Sequence, residues 1–360
     1  MAMNYRLGAF GFLGGPTLQT SSGVANVGLY DQRLAIEWVR NHIAKFGGDP
    51  EKITLLGESA GGSSVMHQIT AFGGQKPVPF QRAISQSPGY IPLPGPQEQE
   101  TTFQQFLGLL NVSTLAEARQ LPSEAVILAN YQHISAAPYG TYIYGPVVDD
   151  LFVPGIPTKL LLQGSFATDV SIMAGHNSHE GVLFIDPRLR NESDIEKHLK
   201  VLLPDIREAS LSYILNDLYP PIYNGSEPYM TFFDRLMLIY SEMFFLCNAN
   251  SMVKAATQHL ASAYEYQFSV PPGLHGQDLA YTFYTSPAPG VVTEIAELLQ
   301  HYIVTFAQSG VPSANAVSKL AFPLYGDAGS MLDLNVSGPS IMKDTAATIR
   351  CDWWEKALYY

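Results

Sequence analysis

Residues 51–69 read EKITLLGESAGGSSVMHQI, and the fold turns on how this stretch is read. At its centre stands Gly57-Glu58-Ser59-Ala60-Gly61, a Gly-x-Ser-x-Gly pentapeptide. Gly and Ser are common in the chain, so the pentapeptide alone decides little and its flanks decide more. Ile53 to Leu56 is a short apolar run of strand type, too short for a helix. After the serine, small residues from Ala60 to Ser64 lead into a helix-like Val65 to Ile69. Ser59 thus stands between a strand and a helix, where a nucleophile elbow requires it. Such a turn strains the serine backbone, and side chains in place of Gly57 and Gly61 are expected to collide with the turn and its neighbouring strand. The helix start behind Ser59 would offer free N–H groups, and the positive end of its dipole, to a developing oxyanion.

Outward from the pentapeptide, strands and helices alternate. Asp31 to Phe46 reads as a helix, with Ala35, Trp38, Val39, Ile43 and Phe46 at helical spacing and Gly47-Gly48 ending it. Arg82 to Ser87, Val170 to Ala174 and Ala263 to Val270 are strand-like. Helix-like stretches fill Ser193 to His259, and another runs from about Thr293 to Ala307. This alternation predicts an α/β fold: a mostly parallel sheet flanked by helices on both faces. The 360 residues show no internal repeat and read as a single domain. Helical insertions at about 95–145 and 186–262, rich in Phe and Tyr, are expected to line an apolar pocket.

Composition narrows the partners. A 46% hydrophobic, 14% charged chain is that of a soluble globular protein. Its net charge of −12, from 20 basic and 32 acidic residues with no dense Lys/Arg run, argues against nucleic acid. No segment reaches the roughly 18 apolar residues of a membrane span. The start, MAMNYRLGAFGF, lacks the layout of a signal peptide and reads as the tail of a strand. Cys247 and Cys351 allow two free thiols or one disulfide, and spacing does not choose. Sequons at Asn111, Asn191, Asn224 and Asn335, with 20 Tyr and few charges, favour an extracellular protein mildly. No motif calls for a metal or an organic cofactor.

A serine hydroxyl needs a base within hydrogen-bond reach, and that imidazole needs a carboxylate to fix its tautomer. In the α/β arrangement the chain order is Ser, acid, His, each after a later strand. Of nine histidines, His42, His67, His198, His259 and His301 fall in helical stretches, and His133, His176 and His179 in loop-like segments. His275 alone follows a late strand, in VPPGLHGQDLAYTF, where Gly273 and Gly276 would let the loop turn in. Taken in isolation it reads as a solvated loop histidine. For the acid, AGHNSHEGVLF follows the strand ending at Ala174 and offers Glu180. Asp149 and Asp150 are rivals, but they precede that strand and so lie at its wrong end.

At this point the sequence resembles the type-B carboxylesterase/cholinesterase family of α/β-hydrolases, which also holds fungal lipases. The matching stretches are NYRLGAFGFL, NVGLYDQRLAIEWVRNHIAKFGGDPEKITLLGESAGG, FQRAISQSPG, YGPVVDD, GHNSHEG, HGQDLAYTF and RCDWW, in order from residue 4 to residue 354. The resemblance implies Ser59 as nucleophile, Glu180 as the acid in place of the commoner Asp, and His275 as general base. It implies an oxyanion-hole N–H from Ala60 and a buried acidic neighbour, Glu58, able to modulate His275. It further implies an Arg6–Asp31 salt bridge, a Cys247–Cys351 disulfide fixing the final helix, and a secreted full-length form. The function implied is hydrolysis of small-molecule or lipid carboxylic esters through an acyl-enzyme.

The chain departs from that family at its front. The strands and the His-Gly-Gly-type loop that precede NYR in the family have no counterpart here. The expectation is therefore an α/β-hydrolase fold without its N-terminal strands, with one identified oxyanion donor and an unpaired apolar edge beside the strand leading to Ser59. A fragment or incomplete gene product is the favoured account, ahead of a degenerate copy or a short form completed by a partner. The rival function is a catalytically silent, esterase-like binding or adhesion domain.

Overall fold

Residues 1–90, 94–313 and 320–360 are described by the computed structural model of the chain. Six strands form one sheet in chain order: β1 (Thr54–Glu58), β2 (Arg82–Gln86), β3 (Ser171–Asn177), β4 (Ala263–Phe268), β5 (Ser330–Asn335) and β6 (Gly338–Lys343). The first five run parallel, and β6 returns antiparallel against β5. Parallel neighbours need crossovers, and helices supply them. The helices that matter to the site are α1 (Val27–His42), α2 (Ala60–Thr70), α3 (Ser123–Ser135), α4 (Phe232–Ser241), α5 (Cys247–Gln258), α6 (Thr293–Ser309) and α7 (Ile349–Trp354).

Side chains alternate across the sheet because successive Cβ atoms point to opposite faces. Ala83, Ile172, Ala174 and Ala263 face a large core built with α1, α2, α4 and α5. Ile84, Met173, Tyr264, Tyr266 and Phe268 face a second core closed by α6. The first face carries small residues where helices approach closely, and the second carries the aromatics. A third cluster around Phe103 and Phe106 packs beneath α3, outside the sheet. Residues 232–258 form one unbroken helical run, in which Glu242–Leu246 takes a π-helical turn between α4 and α5. This run is long and apolar enough to cross a membrane, but 89% of its most apolar window is buried inside the protein.

Two expectations are corrected, and one element had no expectation. The helix expected over residues 31–46 starts at Val27 and ends as a 3₁₀ turn over Ile43–Phe46. Residues 1–7 form no strand. The Arg6 N–H bonds the Asp31 carboxylate at 3.1 Å instead of a ladder partner, and the Arg6 guanidinium joins the same carboxylate at 2.7 Å. The β5–β6 hairpin was not anticipated. Its alternation, Met331 and Leu332 then Leu334, is too short and too mixed to register as a strand pattern. Among the described residues no strand pairs with the outer edge of β1.

Candidate active site

Four consecutive parallel strands end at one edge of the sheet, and each delivers one part of the site. β1 ends at Glu58, and the next residue, Ser59, holds φ 56° and ψ −118° before α2 begins at Ala60. β2 ends at Gln86, followed by Ser87 with φ 44°. β3 ends at Asn177, and Glu180 opens a 3₁₀ turn over Glu180–Phe184. β4 ends at Phe268, and its loop carries His275 between Gly273 and Gly276, both at positive φ. A parallel bridge between His179 and Leu274 ties the last two loops together. Loops at the carboxyl ends of parallel strands are where such sheets build sites.

The tight turn at Ser59 explains its glycines unevenly. A Cβ on Gly57 would lie 2.3 Å from the Gly61 carbonyl oxygen. A Cβ on Gly61 would meet nothing within 4 Å, so the collision expected there does not arise. The crowded position is Gly62, where a Cβ would sit 2.5 Å from the Gln86 carbonyl oxygen as α2 crosses β2. Gly61 contributes its backbone to the crowding, not a forbidden side chain.

Ser59, His275 and Glu180 form one hydrogen-bonded chain. Ser59 Oγ lies 2.7 Å from His275 Nε2, and His275 Nδ1 lies 2.5 Å from Glu180 Oε2. With Nδ1–H donating to the carboxylate, Nε2 is left to accept the serine proton. Glu180 is fully buried, and its Oε1 accepts from Ser87 Oγ (2.6 Å), Asn177 N (2.6 Å) and Asn177 Nδ2 (3.2 Å). Burial pushes the Glu180 carboxyl up, but His275 and these donors outweigh it and hold the group below the usual carboxylate range. Burial pushes His275 down, while the Glu180 hydrogen bond and the charges of Glu180, Glu58 and Asp278 more than reverse this, so it ends raised. Glu58 Oε1 lies 3.5 Å from His275 Nε2. Burial raises Glu58 to about 7, with the His275 charge opposing and Asp278 and Glu180 adding to the rise.

A further layer holds the His275 loop in place. Buried Asp278 accepts from Tyr266 Oη (2.6 Å), Gln86 Nε2 (3.2 Å) and Asn177 Nδ2 (3.2 Å). Sequence reasoning missed Ser87, Asn177 and Asp278. The only local signal was that Ser87 and Asn177 stand at the carboxyl ends of β2 and β3, and that Asp278 lies three residues past His275 in the same loop. The rival acids are placed elsewhere. Asp149 accepts from Asn26 Nδ2, Leu151 N and Val153 N, and Asp150 is exposed. Of the other histidines expected in loops, His133 lies in α3 and His176 in β3, where it is buried against the Asn177 carbonyl, while His179 bonds the Pro272 carbonyl. Cys247 and Cys351 are joined in a disulfide that ties α5 to α7.

A cavity of about 240 Å³ opens above Ser59 and Ala60, walled by Tyr142, Tyr144, Phe184 and Phe245. Lys, Arg, Asp and Glu are absent from its described lining. The N–H groups of the first turn of α2 stand at a helix start and lack intrahelical partners, beginning with Ala60 beside Ser59.

Fold and site together define an α/β-hydrolase with a Ser-His-Glu arrangement at the carboxyl edge of its sheet. The sequence profile of the carboxylesterase family matches residues 1–354, and the chain belongs to that family. It is similar to carboxylesterase patB of Penicillium expansum, 36% identical over 359 residues, which cover 99% of this chain and 63% of that one. It is also similar to a secreted lipase of Arthroderma benhamiae, 32% identical over 79% of this chain and 53% of the other. Among solved structures, EstA of Aspergillus niger superposes with a TM-score of 0.85 at 24% identity, over 98% of this chain and 73% of that one. The chain therefore spans less than two thirds of the length of these two curated relatives.

Proposed function

We propose that the chain carries the catalytic centre of a serine carboxylic-ester hydrolase. The observation that carries this reading is the unbroken hydrogen-bond chain from Ser59 through His275 to Glu180. Ser59 Oγ attacks the ester carbonyl carbon while His275 Nε2 takes its proton. Glu180 holds the imidazole in the required tautomer and stabilises its charged form. The oxyanion develops beside the Ala60 N–H at the start of α2. His275 returns the proton to the departing alcohol, and an acyl-Ser59 ester remains. Water, deprotonated by His275, then releases the carboxylic acid and restores Ser59. Glu58 modulates the basicity of His275 through its charge.

The substrate is an ester presented to an apolar, aromatic-walled cavity, which favours uncharged small-molecule or lipid esters over ionic ones. The disulfide, exposed sequon asparagines at 111, 191 and 224, and a relative named as a secreted lipase support an extracellular, glycosylated full-length protein.

The test is labelling of the purified chain with a small fluorophosphonate, the modified residue being mapped by mass spectrometry. The reading expects one adduct on Ser59, absent from Ser59→Ala and His275→Ala chains that remain folded by circular dichroism. A folded chain that takes no label, or takes it elsewhere, would overturn the reading.

A further inference from the structure

A glutamine sits where the packing of its helix calls for an apolar side chain. The helix Pro96–Leu109 buries a stripe at helical spacing, Gln99, Phe103 and Phe106, and Gln99 is only 5% exposed. Burying an amide costs stability unless its hydrogen bonds are made. One end of this amide is satisfied: Gln99 Nε2 donates to the Pro94 carbonyl at 2.9 Å. A carbonyl only accepts, so the NH2 group lies at Pro94 and the orientation of the amide is fixed. The other end is not satisfied by the protein. No described residue donates to Gln99 Oε1.

Gln99 lines the cavity above Ser59, together with Thr102 and Gly14. Gly14 brings no side chain over the Gln99 oxygen; a Cβ there would sit 3.4 Å from Oε1. Thr102 follows Gln99 by three residues, so the two side chains share one face of the helix. The Thr102 hydroxyl also has no hydrogen-bond partner among the described residues, whereas Thr101 Oγ1 beside it donates back to the Gln97 carbonyl at 2.9 Å. The backbone that carries the pair is held in place. Gln99 N donates to the Gly95 carbonyl at 3.0 Å, Gly95 N donates to Asp205 Oδ2 at 3.2 Å, and Glu100 Oε2 accepts from Thr17 N at 2.9 Å. In an aromatic-walled cavity, a few fixed polar groups are what orient a ligand.

We propose that Gln99 and Thr102 form a hydroxyl-binding site in the cavity above Ser59, and that the preferred substrate is an ester carrying a free hydroxyl group as well as its ester bond. This rests on the hydrolase reading above. The chemistry of the pair selects the group. Gln99 Oε1 only accepts, while Thr102 Oγ1 can donate, so together they match a group that does both, and a hydroxyl is the smallest such group. A carboxylate has no proton to give Gln99, and an ammonium accepts nothing from Thr102. An alkyl chain displaces solvent from both residues without replacing its hydrogen bonds.

The experiment measures kcat/KM for two pairs of esters, each pair differing by OH against CH3 at a chain end. The alcohol half is read with 4-hydroxybutyl and pentyl butyrate, and the acyl half with 4-nitrophenyl 6-hydroxyhexanoate and heptanoate. The hydroxyl-to-alkyl ratio within each pair is compared in the unsubstituted chain, Thr102→Val, Thr102→Ser and Gln99→Met. For at least one pair the ratio should fall by about 3- to 10-fold in Thr102→Val and in Gln99→Met, the scale of one neutral hydrogen bond, and should be kept by Thr102→Ser. Should Gln99→Met not fold by circular dichroism, because the Pro94 carbonyl loses its donor, the isosteric Thr102→Val decides. Turnover with ratios that are the same in all four chains for both pairs would overturn the hydroxyl site and leave the hydrolase reading standing. No turnover of any ester would overturn the site, and if Ser59 also takes no fluorophosphonate label, the hydrolase reading falls with it.

Discussion

Ser59 holds a left-handed φ of 56°, and its surroundings divide into atoms that must be absent and charges that must be present. Gly57 must lack a side chain because the Gly61 carbonyl occupies that space at 2.3 Å. Gly57→Ala should destabilise the chain by about 1–3 kcal/mol, the usual cost of overpacking, and abolish labelling of Ser59. Gly61→Ala, whose Cβ enters open space inside a helix, should leave the melting temperature unchanged or raised by up to about 1 kcal/mol in stability. Differential scanning calorimetry of the two variants checks both. The charges predict a pH effect. His275 must be neutral to accept the Ser59 proton, so kcat/KM should rise with pH through its raised pKa. Glu58 contributes to that rise in pKa with a carboxylate that itself titrates at about 7, so the two share a coupled acid limb. In Glu58→Gln the anionic neighbour is gone, the imidazolium is less favoured, and the acid limb should move to lower pH. A pH–rate profile that does not move would show that Glu58 does not act on His275.

Elements set the distances that residues use. The register of β1 to β4 (Gly57 level with Ser85, Ser85 with Ala174, Ala174 with Glu265) brings the strand ends of the site together, and the loop after β4 carries His275 the last seven residues. The loops add orientation. Ser87, just past β2, gives Glu180 one of its three Oε1 donors at 2.6 Å. Ser87→Ala leaves the two Asn177 donors in place. Under the hydrolase reading it should lower kcat by about 10-fold with little change in KM, the scale of one hydrogen bond to a buried charge. Ser87→Thr, which keeps the hydroxyl, should recover part of that loss, as a purely structural role would not require.

Across the whole molecule, the site depends on packing between segments distant in sequence. The disulfide joins Cys247 and Cys351 across 104 residues and pins α7 to the helix that carries the π-turn. Replacing both cysteines by Ala should lower unfolding stability by about 2–5 kcal/mol, measured by urea denaturation, while the fraction still folded at 25 °C labels at Ser59 normally. Equal stability with and without the bond would show that Arg350, bidentate on buried Glu242 at 2.7–3.0 Å, suffices to hold that corner.

Residues 51–69 alone placed Ser59 between strand and helix, because a short apolar run, small residues and a helix-like tail are local patterns with local causes. The strand–helix alternation likewise fixed a mostly parallel sheet, and chain order singled out Glu180 and His275 as candidates. What the sequence could not hold is distance. Whether Ser59, Glu180 and His275 meet depends on the pairing of four strands, with Ser59 and His275 lying 216 residues apart. The non-local crowding at Gly62, the third-party support from Ser87, Asn177 and Asp278, and the pairing of Cys247 with Cys351 are likewise products of approach between segments. The β5–β6 hairpin carried too weak a periodicity to be read, and the start, read as the tail of a strand, forms none because its Arg6 N–H bonds Asp31. Local chemistry wrote the Ser59 turn into the sequence; the site around it was decided by the sheet, since only packed strands bring distant groups within hydrogen-bond reach.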